Sequence, residues 1–161
     1  MMPSVSHIFI APQRGAPMRS LSAVRALADC GLDGDRYSIA KNRKSSDYQL
    51  TLIEREQIEA FDTASGLPLT ADQPRRNLVT VGVDLNALCG RRFVVGEVEL
   101  EGLELCEPCS LFARRTYRET LEFFVHKGGF RARILTSGLI RVGDSVDVEF
   151  VHRQQEMTPP R

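Results

Sequence analysis

The segment Leu105-Cys106-Glu107-Pro108-Cys109-Ser110 holds the residues best equipped for chemistry. Pro108 disfavours helix at Glu107 yet suits a first helical position itself. A helix or turn starting there puts Cys109 near its N-terminus, where backbone N–H groups and the dipole favour a thiolate. A thiolate can attack, carry a sulfur atom or bind a soft metal. The same spacing also serves as a redox disulfide, as half of a zinc site, or as two inert thiols. A four-cysteine zinc site prefers a second close pair, whereas Cys30 and Cys89 are isolated among apolar neighbours and read as buried, inert thiols. A thioredoxin-like use needs the motif to open a helix in an α/β fold, and the elements below are β-rich.

Other clusters offer charge rather than a nucleophile. Gly31-Leu32-Asp33-Gly34-Asp35-Arg36-Tyr37 contains a tight-turn signal at Asp33-Gly34, read as a hairpin corner. Arg75-Arg76-Asn77 follows Pro74 and precedes a strand; adjacent arginines form a solvated edge or hold a phosphate or carboxylate by forked hydrogen bonds. Lys127-Gly128-Gly129-Phe130-Arg131 reads as an anion-binding nest or as a helix stop. Asp35 would repel an anion, so its expected role is to orient an arginine or accept backbone N–H bonds. His7, His126 and His152 are scattered and mark neither a catalytic triad nor a metal cluster.

These groups need elements to position them. Short apolar runs bounded by turn residues predict strands over Val5–Ala11, Leu21–Ala28, Gln49–Ile53, Leu78–Val81, Arg92–Val95, Glu97–Leu105, Arg131–Thr136 and Ser145–Val151. Little more than Gly96 separates Arg92–Val95 from the next strand, which predicts a tight hairpin. Val98 and Leu100 are apolar at even positions, Leu103 and Leu105 at odd ones, so a bulge or bend is expected near Gly102. Helices are predicted over Glu54–Thr63 and Thr116–His126, with one turn over Asp84–Leu88. Eight or so short strands without steady strand–helix alternation point to a mainly β fold, a closed or nearly closed barrel with two or three short helices.

The length of 161 residues suits one domain, expected over residues 1–151, with 152–161 as a frayed tail. Lys41–Asp47 is polar and unpatterned, and is expected to be a surface loop. Lys+Arg and Asp+Glu are each 21, a balance that argues against a non-specific nucleic-acid binder but allows one small basic pocket. No run approaches the roughly 18 apolar residues of a membrane span, and no signal peptide is apparent. The chain is therefore expected in the cytoplasm, with its four cysteines reduced.

Taken in order, several stretches resemble the MOSC domain, the module at the C-terminus of molybdenum-cofactor sulfurases. They are Gly31–Tyr37, Gln49–Ile53, Arg75–Leu78, Gly82–Gly90, Phe93–Gly96, Val98–Cys109, Lys127–Leu135 and Gly138–Asp144, spanning roughly residues 20–150. The resemblance implies a β-barrel and a cysteine that handles sulfur or ligates molybdenum; Cys109 matches it, ahead of Cys106. It implies molybdenum cofactor (molybdopterin) as ligand, with Arg76, Lys127, Arg36, Asn77, Asp35 and Arg75 as candidate contacts. The implied function is cofactor binding or sulfur carriage, with a sulfur donor or acceptor protein as partner. One alternative is a cofactor-dependent reductase of N-hydroxylated compounds, which needs an external electron-donor protein. Members with that activity carry His-Gly-Gly after the Gly-Asp motif, whereas Ser38–Asp47 here has no histidine. A second alternative is a non-catalytic, partner-binding barrel with Cys106 and Cys109 as a redox-sensitive staple. The aminotransferase-like domain of full sulfurases has no counterpart here, so no pyridoxal-phosphate site is expected. The bend at Gly102 and the turn at Pro108 are expected to bring Cys109 to the barrel mouth, open to solvent, with Arg76, Asn77 and Asp35 nearby.

Overall fold

The computed structural model describes residues 2–43 and 45–149. Its strands are β1 (Ser4–Ile10), β2 (Arg19–Leu21), β3 (Ala23–Leu27), β4 (Gly31–Leu32), β5 (Leu50–Glu54), β6 (Leu78–Val81), β7 (Arg92–Val95), β8 (Val98–Leu105), β9 (Phe130–Ile134), β10 (Gly138–Arg141) and β11 (Val146–Asp147). The helices are α1 (Arg55–Ser65), α2 (Ser110–Arg115) and α3 (Thr120–Phe123). Eight strands form one sheet in the order β11-β7-β8-β9-β5-β6-β1-β2, and β10-β3-β4 form a second. The large sheet curls until its ends meet. Val5 N–H donates to the Asp144 carbonyl (2.9 Å), Gly143 N–H to that of Val5 (2.8 Å) and Val146 N–H to that of Pro3 (2.9 Å). These bonds join β1 to the start of β11 and nearly close a barrel.

Period-2 alternation divides the apolar residues between two cores. Ile8, Leu50, Leu52, Leu78, Phe93, Leu100, Phe130 and Ile134 fill the barrel. Phe9, Ile53 and Val79, from the opposite face of the same strands, pack with Ile58, Phe61 and Phe124 beneath the helices. α1 bridges the parallel pair β5–β6. It buries Ile58 and Phe61, and it ends at Gly66, whose φ of 72° is the left-handed cap glycine allows.

The tight β7–β8 hairpin pairs Val95 with Val98. The β8–β9 register shifts between Gly102 and Leu105, the expected bulge. A Cβ at Gly102 would run into the Leu88 carbonyl and the Phe130 ring, so close approach also requires glycine there.

Several expectations are corrected. The run Leu21–Ala28 is not one strand: the chain breaks at Ser22, so that β2 pairs with β1 while β3 pairs with β10 and β4. Asp33-Gly34 makes a turn, with Asp35 N–H donating to Leu32 at 3.0 Å, but not a hairpin; the β3–β4 connection is Ala28–Cys30. The helix expected over Thr116–His126 shrinks to α3, because only Phe124 of its apolar stripe is buried while Leu121 and Val125 stay exposed. The segment Lys41–Asp47 is the surface loop expected, exposed at Lys41, Asn42 and Ser45–Asp47, with Lys41 and Asn42 ending a 3₁₀ turn over Ala40–Asn42 and Arg43 donating to the Cys30 carbonyl at 2.6 Å. The strand expected over Ser145–Val151 is β11 alone within the described residues; Phe150, Val151 and the tail from 152 lie outside them. β10 had no counterpart among the expected strands.

Candidate functional site

Two buried polar side chains build the floor of a cleft. Asn77, just before β6, accepts from Thr51 N–H at 3.0 Å and donates to the Phe9 carbonyl at 3.0 Å, tying β5 to β1. Asp35 accepts from the backbone N–H groups of Ala11 (2.9 Å) and Tyr37 (3.2 Å). Both fix backbone, and Asp35 has the N–H-accepting role expected of it. Arg36 and Tyr37 follow in a 3₁₀ turn capped by that same carboxylate.

The cysteine loop is pinned from the other side. Cys106 N–H donates to the Gly129 carbonyl at 2.8 Å. Glu107 accepts from His126 N–H (3.2 Å) and pairs with its Nδ1 (3.0 Å). Gly128 and Gly129 are needed for close passage, since a Cβ on either would strike the carbonyl of Cys106 or of Leu52. The Gly128 carbonyl accepts from Arg76 Nε at 2.9 Å. These glycines therefore dock the loop against β5 and orient an arginine. Cys106 is 5% exposed. Cys109 is exposed, caps α2 with its backbone, and carries a free thiol.

The resulting cleft of about 290 Å³ is lined by Arg36, Arg75, Arg76, Arg131, Cys106 and Cys109, with Tyr37, Thr51, Asn77 and Glu107 completing it. Arg36 stacks on Tyr37 at 4.4 Å, and Arg131 stacks on Tyr48 at 4.2 Å while donating to Glu104 at 2.7 Å. Burial opposes the charge of Arg131, but Cys106, Tyr48 and Glu104 outweigh it and raise its pKa. Arg75 is the reverse case. Burial first, then the neighbouring charges of Arg115 and Arg36, push its pKa down. Its Nη2 is buried with no hydrogen-bond partner among the described residues, and its backbone sits at φ 60°. A guanidinium held this way is short of an anion.

The cleft brings together Cys106, Cys109, Arg36, Arg75, Arg76 and Asn77, with Asp35 beneath. Lys127 lies outside it: its ammonium sits 4.6 Å from the centroid of Phe123. The position at a barrel mouth is also corrected. Thr51 and Arg131 face each other across β5 and β9, while Leu50, Leu52, Phe130 and Ala132 on either side of them point into the barrel. Alternation thus opens the cleft on the outer face of the sheet, beside the helices. Arg131 closed one of the clusters singled out from the sequence but was not among the expected contacts, and Thr51 was not singled out. The signal available was their phase, polar between core residues on both strands.

The family model for the MOSC domain matches residues 36–147. The chain belongs to the MOSC family. That family is associated with the molybdenum cofactor, and the matched segment contains every residue that lines the cleft, with Asp35 of its floor one position before it. Similar solved MOSC folds are the YuaD protein of Bacillus subtilis and YiiM of Geobacillus stearothermophilus. YuaD superposes with a TM-score of 0.77 at 14% identity, covering 91% of this chain and 94% of its own. YiiM superposes with a TM-score of 0.71 at 17% identity, covering 90% and 74%. YiiM of Escherichia coli gives 0.66 at 16% identity, covering 91% and 69%. No curated protein matches the chain. No described helix is long and apolar enough to cross a membrane, and no cluster of three or more His, Cys, Asp or Glu among the described residues could hold a metal ion by itself.

Proposed function

We propose that this MOSC protein binds the molybdenum cofactor and handles sulfur at Cys109. One observation carries the reading: an exposed free thiol shares a cleft with four arginines, one of which has a buried, unpartnered Nη2. The donor set fits the group. A phosphate supplies the acceptors that Arg75 lacks, with Arg36 and Arg76 beside it, and a thiolate suits a soft metal. Among the described residues the only acid in the lining, Glu107, is held by His126 and leaves the cleft's charge positive. When bound, the cofactor supplies a thiophilic, redox-active metal.

The chain's own residues then have separate tasks. Asn77 and Asp35 hold the floor, Arg75 and Arg76 seat the anion, and Cys106 packs the loop that presents Cys109. As a sulfur carrier, Cys109 thiolate attacks the terminal sulfur of a persulfide on a donor protein. The new S–S bond forms as the donor thiolate leaves, so no external oxidant is needed. Free thiols in all four described cysteines suit a reducing, cytoplasmic setting.

The test is mass spectrometry and pterin analysis of protein from a molybdenum-replete host. Expected are co-purified pterin and a 32 Da adduct on Cys109 (one sulfur atom, roughly), with the adduct lost in Cys109→Ser. Protein with neither, which also fails to bind added cofactor, overturns the reading. Turnover of a hydroxylamine by reconstituted protein with a chemical reductant, above free cofactor, would move it to the reductase class.

A further inference from the structure

Beside the cysteine cleft lies a larger cavity of about 430 Å³, lined in part by Arg14, Arg36, Lys41, Arg43, Arg75 and Arg115. No acid lines it. The chain as a whole carries equal numbers of acidic and basic residues, so six cations gathered round one hollow are a strong local imbalance. None of the six forms an ion pair with a described residue, although ion pairs occur elsewhere among the described residues. The two hollows share Arg36, Tyr37 and Arg75 and so adjoin each other. The unpartnered Nη2 belongs to Arg75, at their junction.

We propose that the larger cavity is a diphosphate subsite, so that the two hollows together take an elongated organic diphosphate with its reactive end at Cys109 and its diphosphate among Arg75, Arg115 and Lys41. The assignment rests on the reading of the Cys109 cleft as a ligand site, and it narrows the ligand class. One phosphate needs two or three of these cations. Six of them around a hollow of about 430 Å³ suit two linked phosphates, which carry more charge and take more room than one. Leu111, 43% exposed on the same wall, gives the organic part an apolar contact.

The test is calorimetric titration of the full chain with inorganic pyrophosphate and with orthophosphate at matched ionic strength. Pyrophosphate should bind at least about tenfold more tightly. Arg115→Ala and Lys41→Ala, both at exposed positions, should each weaken pyrophosphate binding about three- to tenfold, while Arg133→Ala, which lines neither hollow and pairs with Asp29, should not change it. A nucleoside diphosphate, ADP, distinguishes the free ion from an organic ligand: it should bind at least as tightly as pyrophosphate and slow alkylation of Cys109. Equal affinity for both inorganic ions, or equal weakening by Arg133→Ala, overturns the subsite. So does ADP that binds without protecting Cys109. Failure here alongside pterin and a Cys109 persulfide in the purified protein leaves the cofactor reading standing with a monophosphate ligand; the two fail on separate readouts.

Discussion

At the scale of single residues, the two cysteines of one loop are placed for different work. Cys109 is exposed and its side chain makes no capping bond, whereas Cys106 is buried against the loop from Gly128. Serine at 109 meets water and is a good N-cap, so Cys109→Ser should keep the melting temperature within about 2 °C or raise it slightly. Serine at 106 buries a hydroxyl where a thiol packed, costing about 1–3 kcal/mol, or roughly 3–10 °C for a domain this size. Iodoacetamide should label Cys109 well before Cys106. Equal melting temperatures in the two variants would favour the staple reading over a functional Cys109.

At the scale of elements, the β5–α1 junction holds a strained charge. Burial first, then Asp84 and Glu56, raises the pKa of Glu54 from 4.5 to about 7. Its folded pKa therefore lies above its unfolded one. Below pH 4.5 both states are protonated and there is no penalty. Between about 4.5 and 7 the unfolded chain loses its proton first, so stability falls as pH rises, and above about 7 the loss is complete. Glu54→Gln removes this effect. It should match the native chain near pH 4.5 and exceed it at pH 8 by about 1 kcal/mol, the full shift being reduced because the group is partly solvated. Urea titrations at the two pH values check it; an equal gain at both would show that charge is not the cause.

At the scale of the molecule, the barrel depends on a seam. Three backbone bonds join Pro3 and Val5 to the Gly143–Val146 segment, and β11 itself pairs only two residues with β7. If the seam belongs to the cooperative core, the amides of Val5, Gly143 and Val146 should exchange with opening free energies within about 1 kcal/mol of those in β8 and β9. Native-state hydrogen exchange reads this directly. Much faster exchange at the three would mean that the seam opens while the rest of the sheet stays folded.

Local chemistry in the sequence determined much of this protein. Period-2 alternation marked most strands, the phase change in Val98–Leu105 marked the bulge, and Gly96 marked the hairpin. Each is a rule between near neighbours. Cys109 and the Arg75-Arg76 pair also stood out by type and spacing, and the ordered motifs pointed to the MOSC family that residues 36–147 match. What the sequence left open depended on long-range pairing. Whether Leu21–Ala28 stays in one sheet is decided by which strands offer it partners. Whether Thr116–His126 completes a helix depends on what covers Leu121 and Val125, and nothing among the described residues buries them. Lys127 and Arg131 flank the same glycines, yet one rests on Phe123 and the other faces Cys106, because strand pairing aims Arg131 and not Lys127. The outward opening of the cleft follows from the same cause. A residue's face is set by register, and register is fixed only when two distant strands meet.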